Sequence, residues 1–300
     1  KTIFKTLPKF LNDNDYRTFG DSINKLILPP DGFDELNIHD ELNDNLTERH
    51  KLLLEKMKKL KQSDDSFFLY LHYSKIHTGI MQKVLKKYDN FSEEYFSNKE
   101  KNAKFYDELF QNADKYLGEI FQHFKFLGLD EDTLLVVISD HGISTGEKFG
   151  ERAYGVFCYD TTLISTALFY SPGISPLILK NQVRSIDILP TILDLCKIDT
   201  PLKLDGKSFS PFLLNTEEKL SDTPYTFSET GGLQGPFPSP MEPNVFCIKS
   251  SNYKLIYFLS SNKWELYDIK KDPNEENNIY NSGLEIEKIL KENLLTWKNR

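Results

Sequence analysis

The sequence predicts an α/β fold: a mainly parallel sheet between helices, followed by a small C-terminal antiparallel α+β subdomain. Three observations carry this prediction. Thr133-Leu134-Leu135-Val136-Val137-Ile138 is an unbroken β-branched and apolar run, the pattern of a strand buried on both faces, as in a parallel sheet. Runs of this kind alternate with long amphipathic stretches, as βα units require. From about Thr223 the texture changes to short β-prone pieces separated by Gly, Pro and Asn.

Taken in order, residues 2–14 have a helical apolar rhythm, and Tyr16 to Phe19 begins a strand. Leu26 to Leu36 is a loop with a Pro29-Pro30-Asp31-Gly32 turn. Leu46 to Gln62 is an amphipathic helix with Leu46, Leu53, Met57 and Leu60 on one face. Ser66 to Tyr73 reads as a second buried strand, and residues 80–101 as a helical or lid-like insertion. Asn102 to Leu127 is a long helix closed by Gly128. After the Thr133–Ser139 strand come a loop over Gly146–Tyr159, a third strand over Leu163–Tyr170 and a helix over Val183–Cys196. The C-terminal pieces Tyr225–Ser228, Asn244–Lys249, Lys254–Leu259 and Trp264–Tyr267 suit an antiparallel sheet, with Leu284–Lys298 as closing helix. The expected units are residues 1–222 and 223–300.

Bulk properties exclude some functions. The 300 residues are 39% hydrophobic and 27% charged, enough for a sizeable core. A formal net charge of -8 with no basic stripe argues against a nucleic-acid partner. No apolar run reaches the ~18 residues of a membrane span. Cys158, Cys196 and Cys247 lack zinc spacing and read as buried free thiols, so neither redox compartment nor localisation is specified. The chain opens at Lys1 without an initiator Met, in what looks like the interior of a folded unit. A fragment is the expectation.

The central apolar run stops at Asp140-His141-Gly142. Ligands in open α/β sheets gather at the carboxyl ends of strands. A carboxylate and an imidazole delivered there suit a divalent cation. The competing reading is a helix-capping Asp with a surface His. Asp64-Asp65 precedes a strand rather than following one and reads as a solvated turn. Asp187 reads as a helix N-cap, and Glu229-Thr230-Gly231-Gly232 as a loop that could rim the site.

Several segments, in order, resemble the sulfatase family of the alkaline phosphatase-like superfamily. They are Phe67-Phe68-Leu69-Tyr70-Leu71 with His77, Ile138-Ser139-Asp140-His141-Gly142 with Gly146-Glu147, Arg184 to Leu195, Leu204-Asp205-Gly206-Lys207-Ser208-Phe209, and Trp264 to Ile269 with Lys271-Asp272-Pro273-Asn274-Glu275. The resemblance implies a metal-dependent sulfuric ester hydrolase acting on a small-molecule or glycan sulfate ester. It places Asp140 and His141 in a divalent-metal cage, with calcium expected and Mg²⁺ or Mn²⁺ as alternatives. It gives His77 to the transferred group or the leaving oxygen, a role suited to a side chain titrating near neutrality. Lys148 and Arg152 are the candidates for a further substrate-facing cation.

Two departures stand out. No Cys/Ser-x-Pro-x-Arg nucleophile motif occurs, and the family's first strand, with further metal ligands, would precede Lys1. By this reading the chain alone is inactive. Where Asp15-Tyr16-Arg17-Thr18 leads into a Gly-Lys-x-His signature in many sulfatases, Phe19-Gly20-Asp21-Ser22-Ile23-Asn24 has neither the lysine nor the histidine. This leaves a phosphoester hydrolase or phosphoryl transferase of the same superfamily as one alternative. A non-catalytic binding protein on the same fold is another. The sequence does not specify an oligomeric state.

Overall fold

The computed structural model describes residues 5–215, 225–231 and 243–300. The N-terminal half holds α1 (Leu7–Asn12), β1 (Arg17–Ser22), β2 (Glu35–Ile38), α2 (Leu46–Gln62) and β3 (Phe67–Leu71). It continues through α3 (Lys75–Ile80), a π-helical turn (Met81–Leu85), α4 (Glu93–Ser97), α5 (Lys99–Phe126) and β4 (Leu135–Ile138). Next come α6 (Asp160–Leu163), β5 (Ala167–Tyr170), α7 (Ile188–Leu195) and α8 (Ser210–Leu213). Strands β6 (Thr226–Thr230), β7 (Val245–Lys249), β8 (Tyr253–Phe258) and β9 (Lys263–Asp268) precede α9 (Glu285–Lys298).

β1 is the centre of a three-stranded sheet in the order β2-β1-β3, parallel to both neighbours. All three strands therefore present their carboxyl ends at one edge. The alternation along β3 sorts its side chains. Phe67 and Leu69 pack with Phe19 against Met57, Tyr116, Ile120 and Phe124 of α2 and α5, while Phe68 packs with Phe10, Leu11 and Leu193 of α1 and α7. Helices thus cover both faces, as a parallel sheet requires.

The Leu163–Tyr170 segment differs from expectation. Its first part is the short helix α6, and β5 pairs antiparallel with β4 in a separate two-stranded sheet. Among the described residues β4 has no ladder to β3. Leu135 and Tyr170 nonetheless join the cluster that covers β3, so both sheet pieces rest on one helical layer. The Val183–Cys196 segment is a 3-10 turn over Ser185–Asp187 followed by α7.

The C-terminal sheet is antiparallel in the order β6-β7-β8-β9. One face takes Leu290 and Leu294 of α9. The other packs Val245, Cys247 and Ile256 on Cys158 and Tyr159. Lys254 of β8, fully buried, meets Asp160 at 2.9 Å and Glu275 at 2.7 Å, and Lys249 meets Asp160 at 2.6 Å. Cys158 and Cys247 are buried free thiols, as expected, while Cys196 is half-buried.

Asp187 stands at the N-cap position of α7, as expected, but bonds elsewhere. Its carboxylate takes no hydrogen bond as a cap of α7. It accepts instead from the Arg184 guanidinium at 2.7 Å and from the Lys207 amide at 2.8 Å. Asp64 is the expected turn residue, with φ at 64°. The expected unit boundary near residue 222 and Gly232 lie outside the described residues.

Candidate functional site

Each parallel strand ends on chemistry. β1 ends in Asp21-Ser22, β2 is followed by His39, and β3 by His72. The ladder lines them up: the His39 amide donates to Ser22 O at 2.9 Å and the His72 amide to Asp21 O at 3.0 Å. β4 ends in Ser139-Asp140-His141, and Asp140 is close enough to act electrostatically on His72 and Tyr70. The carboxyl edge therefore collects a ring of imidazoles and carboxylates.

The Asp140 carboxylate is 88% exposed and its Oδ2 lies 3.6 Å from His141 Nε2. Its Oδ1 accepts from the His141 amide at 2.9 Å, an N-capping-like contact without a helix behind it. His141 Nδ1 donates to Gly142 O at 2.7 Å. That bond fixes the tautomer and leaves the Nε2 lone pair free beside Oδ2. Two such donors fit adjacent positions around one divalent ion. Tyr154 lies against the His141 ring at 4.5 Å between centroids.

His77 is half-buried in α3 rather than in a loop. It is near enough to His72 to contribute to lowering that ring's pKa. His72 is pushed down from its ordinary pKa by burial and then by His39, His77 and His50, with Asp140 opposing. A neutral ring follows, with Nδ1 at 3.2 Å from Ser22 Oγ.

The two candidate cations part company. Arg152 is buried, with Asp89, Tyr154 and Tyr95 acting on it electrostatically. Lys148 turns toward the C-terminal sheet. Its Nζ donates to Glu275 O and lies 4.6 Å over the Tyr159 ring. Glu147 braces its own loop, accepting from Ser144 Oγ at 3.0 Å and Thr145 Oγ1 at 2.7 Å.

Sequence reading missed Asp21, His39, Arg49, His50 and His72. The rule that found Asp140, a polar residue at the carboxyl end of an apolar strand, finds Asp21, His39 and His72 once β1, β2 and β3 are drawn to their true ends. Asp21 is fully buried and bonded to His39 Nδ1 and Arg49 Nε. Burial raises its pKa, but contacts with His50, His39 and Arg49 more than reverse that and hold it down to about 2. Asp21, His39 and His50 bring one donor atom each within 4.8 Å of one another, an arrangement able to hold a metal ion.

Known proteins share this architecture. Residues 2–198 match the family described as Sulfatase, and residues 159–300 match N-sulphoglucosamine sulphohydrolase, C-terminal. Arylsulfatase K of Rattus norvegicus is 28% identical over 214 residues, covering 68% of this chain and 37% of that protein. N-acetylglucosamine-6-O-sulfatase of Bacteroides thetaiotaomicron is 27% identical over 175 residues, covering 56% of this chain and 30% of that protein. A structure solved in complex with its substrate D-glucosamine-2-N,6-O-disulfate superposes with a TM-score of 0.70 at 17% identity, covering 99% of this chain and 82% of that one. The chain thus matches about a third of the length of these curated relatives.

Proposed function

The chain belongs to the sulfatase family, and from that premise we propose that its strand-end cluster is the site of a metal-assisted sulfate ester hydrolase. One observation supports the proposal: at the end of β4 the Asp140 Oδ2 and His141 Nε2 donors stand 3.6 Å apart, and Asp140 and His77 both act electrostatically on His72 at the end of β3. The names of the relatives, an N-acetylglucosamine-6-O-sulfatase among them, favour a sulfated sugar as the substrate class.

Asp140 Oδ2 and His141 Nε2 would hold the cation. The carboxylate favours a hard ion such as Ca²⁺ and the imidazole a borderline one, so Mg²⁺ and Mn²⁺ belong in any test. When bound, the ion stabilises negative charge developing on the transferred group. The protein's own groups do the rest. His77, at the first turn of α3, would give a proton to the leaving oxygen. His72, kept neutral by burial, accepts or holds a hydrogen bond without adding charge. Tyr154 packs on the His141 ring and keeps it in register. Arg152 would lend positive charge to the same side.

The reading draws its nucleophile from outside these residues, because no Cys/Ser-x-Pro-x-Arg stretch occurs in the sequence. The experiment is a turnover assay of the natural full-length protein, which would supply the nucleophile, on aryl sulfate, aryl phosphate and sulfated glucosamine, with Ca²⁺, Mg²⁺ or Mn²⁺ added in turn. Metal-dependent sulfate release, lost in Asp140→Asn and His77→Ala, supports the reading. Sulfate release that survives both substitutions overturns it. Preference for aryl phosphate favours the second reading, a phosphoester hydrolase. The absence of the Gly-Lys-x-His lysine and histidine after Thr18 is what keeps that alternative in view.

A further inference from the structure

We infer that Asp21, His39 and His50 form a second metal site, separate from Asp140–His141 and selective for a borderline transition ion such as Zn²⁺. All three side chains are fully or almost fully buried, which is costly for polar groups unless each has a partner. Yet His50 Nε2 has none: it is buried without a hydrogen bond and stands 3.8 Å from Asp21 Oδ1. A buried lone pair aimed at a carboxylate needs something between them.

The outer contacts point the same way. A metal-binding histidine gives its other ring N–H to a fixed acceptor, which sets tautomer and ring angle. His39 turns Nδ1 to Asp21 and places Nε2 at 3.1 Å from Ser74 Oγ. His50 turns Nε2 to Asp21 and places Nδ1 at 2.5 Å from Tyr116 Oη. Both outer partners are buried hydroxyls on different helices, Ser74 at the start of α3 and Tyr116 in α5. Each ring is thus locked with one nitrogen inward.

Two nitrogens and one carboxylate oxygen are a zinc-type donor set, with a fourth position left for water or an anion. Donors around a tetrahedral ion bound at ~2.0–2.2 Å lie a little over 3 Å apart. The 3.8 Å between His50 and Asp21 already suits this, and the tighter His39–Asp21 contact must open slightly. Loading would replace the His39–Asp21 hydrogen bond with two bonds to the ion and release the shared proton. Tyr116, which bonds His50, also lines a groove of about 240 Å³ with Asp44, Tyr73, Lys75 and Glu119.

Arg49 opposes the site, because its guanidinium holds Asp21 Oδ2. It also lies 3.7 Å from Asp44, to which it can turn. Removing its charge should therefore tighten metal binding, whereas a purely structural Asp21–Arg49 pair would lose stability and gain nothing.

The test titrates the metal-stripped protein with Zn²⁺ by calorimetry and with Co²⁺ by visible absorption. One equivalent with a tetrahedral Co²⁺ spectrum is expected. His50→Gln and Asp21→Asn should lower the affinity at least tenfold, Arg49→Gln should raise it, and Asp140→Asn should leave it unchanged. Circular dichroism of each variant separates lost binding from lost folding, and Arg49→Gln gives a gain that misfolding cannot mimic. The proposal is overturned if no ion binds, if Arg49→Gln does not tighten binding, or if binding persists in His50→Gln but falls in Asp140→Asn. Sulfate release plays no part in these readouts, so failure here leaves the hydrolase reading standing, and the reverse.

Discussion

Replacing Lys254 with Met isolates the energetics of the joint between the core and the C-terminal sheet. Lys254 Nζ is fully buried between Asp160 and Glu275, at 2.9 and 2.7 Å. Met keeps most of the aliphatic stem but no charge. Asp160 retains Lys249 at 2.6 Å. Glu275, 1% exposed, loses its ion partner and keeps only the bond its Oε2 accepts from the Asp160 amide, at 2.7 Å. Removing one partner of a buried pair costs about 3–5 kcal/mol. The surviving Lys249 contact puts the expected loss near the lower figure. Denaturant unfolding followed by circular dichroism measures it as a shift in midpoint at constant m-value. Adding Glu275→Gln removes the stranded charge and should restore at least about 1 kcal/mol, because the cost lies in desolvation rather than lost packing. A loss under about 1 kcal/mol for Lys254→Met, or no recovery in the double variant, would refute the reasoning.

Further outcomes can be checked alongside. Burial lifts Glu151 to about 7 from 4.5, against the amide bonds of Val156 and Phe157. The folded state then holds the extra proton, so this contribution is complete below about pH 4.5 and is lost as pH rises through about 7, a swing of at most about 3 kcal/mol. Glu151→Gln should flatten that slope in pH-dependent thermal melts. Met57→Ala, at a side chain with 0% exposure, should cost about 2–5 kcal/mol in denaturant unfolding. Gly142→Ala would set a Cβ 2.4 Å from Thr161 O. The strand-end loop must move, so metal affinity measured by calorimetry at Asp140–His141 should fall more than global stability does.

Legibility followed the physics of each segment. Helix α2 was readable to its ends, because its apolar stripe and the Asn45 cap agree on one structure. The long α5 was readable because Gly128 takes φ of +65° and stops it. The antiparallel sense of β5 was not, since apolar runs carry no direction. β2 was hidden inside what looked like a turn-rich loop, because four residues of Glu-Leu-Asn-Ile carry little pattern. With β2 unseen and β1 drawn short, nothing in the residue pattern put Asp21 beside His39. Lys148 shows the opposite failure. Its position in the chain suggested substrate, while its partners Tyr159 and Glu275 meet it only through tertiary packing.

The missing ladder between β3 and β4 has a mechanical consequence. Hydrogen-bonded strands are tied in register by directional bonds, whereas the two sheet pieces here are tied through Met57, Tyr116, Ile120 and Phe124 beneath them. Dispersion contacts are many but individually soft and have no preferred direction along the surface. Among the described residues the span from His72 to Asp140 is therefore bridged by side-chain packing, a softer joint than a strand ladder would be. Because hydrophobic contact weakens on cooling, that joint should loosen in the cold, and the site geometry with it, before either sheet piece comes apart.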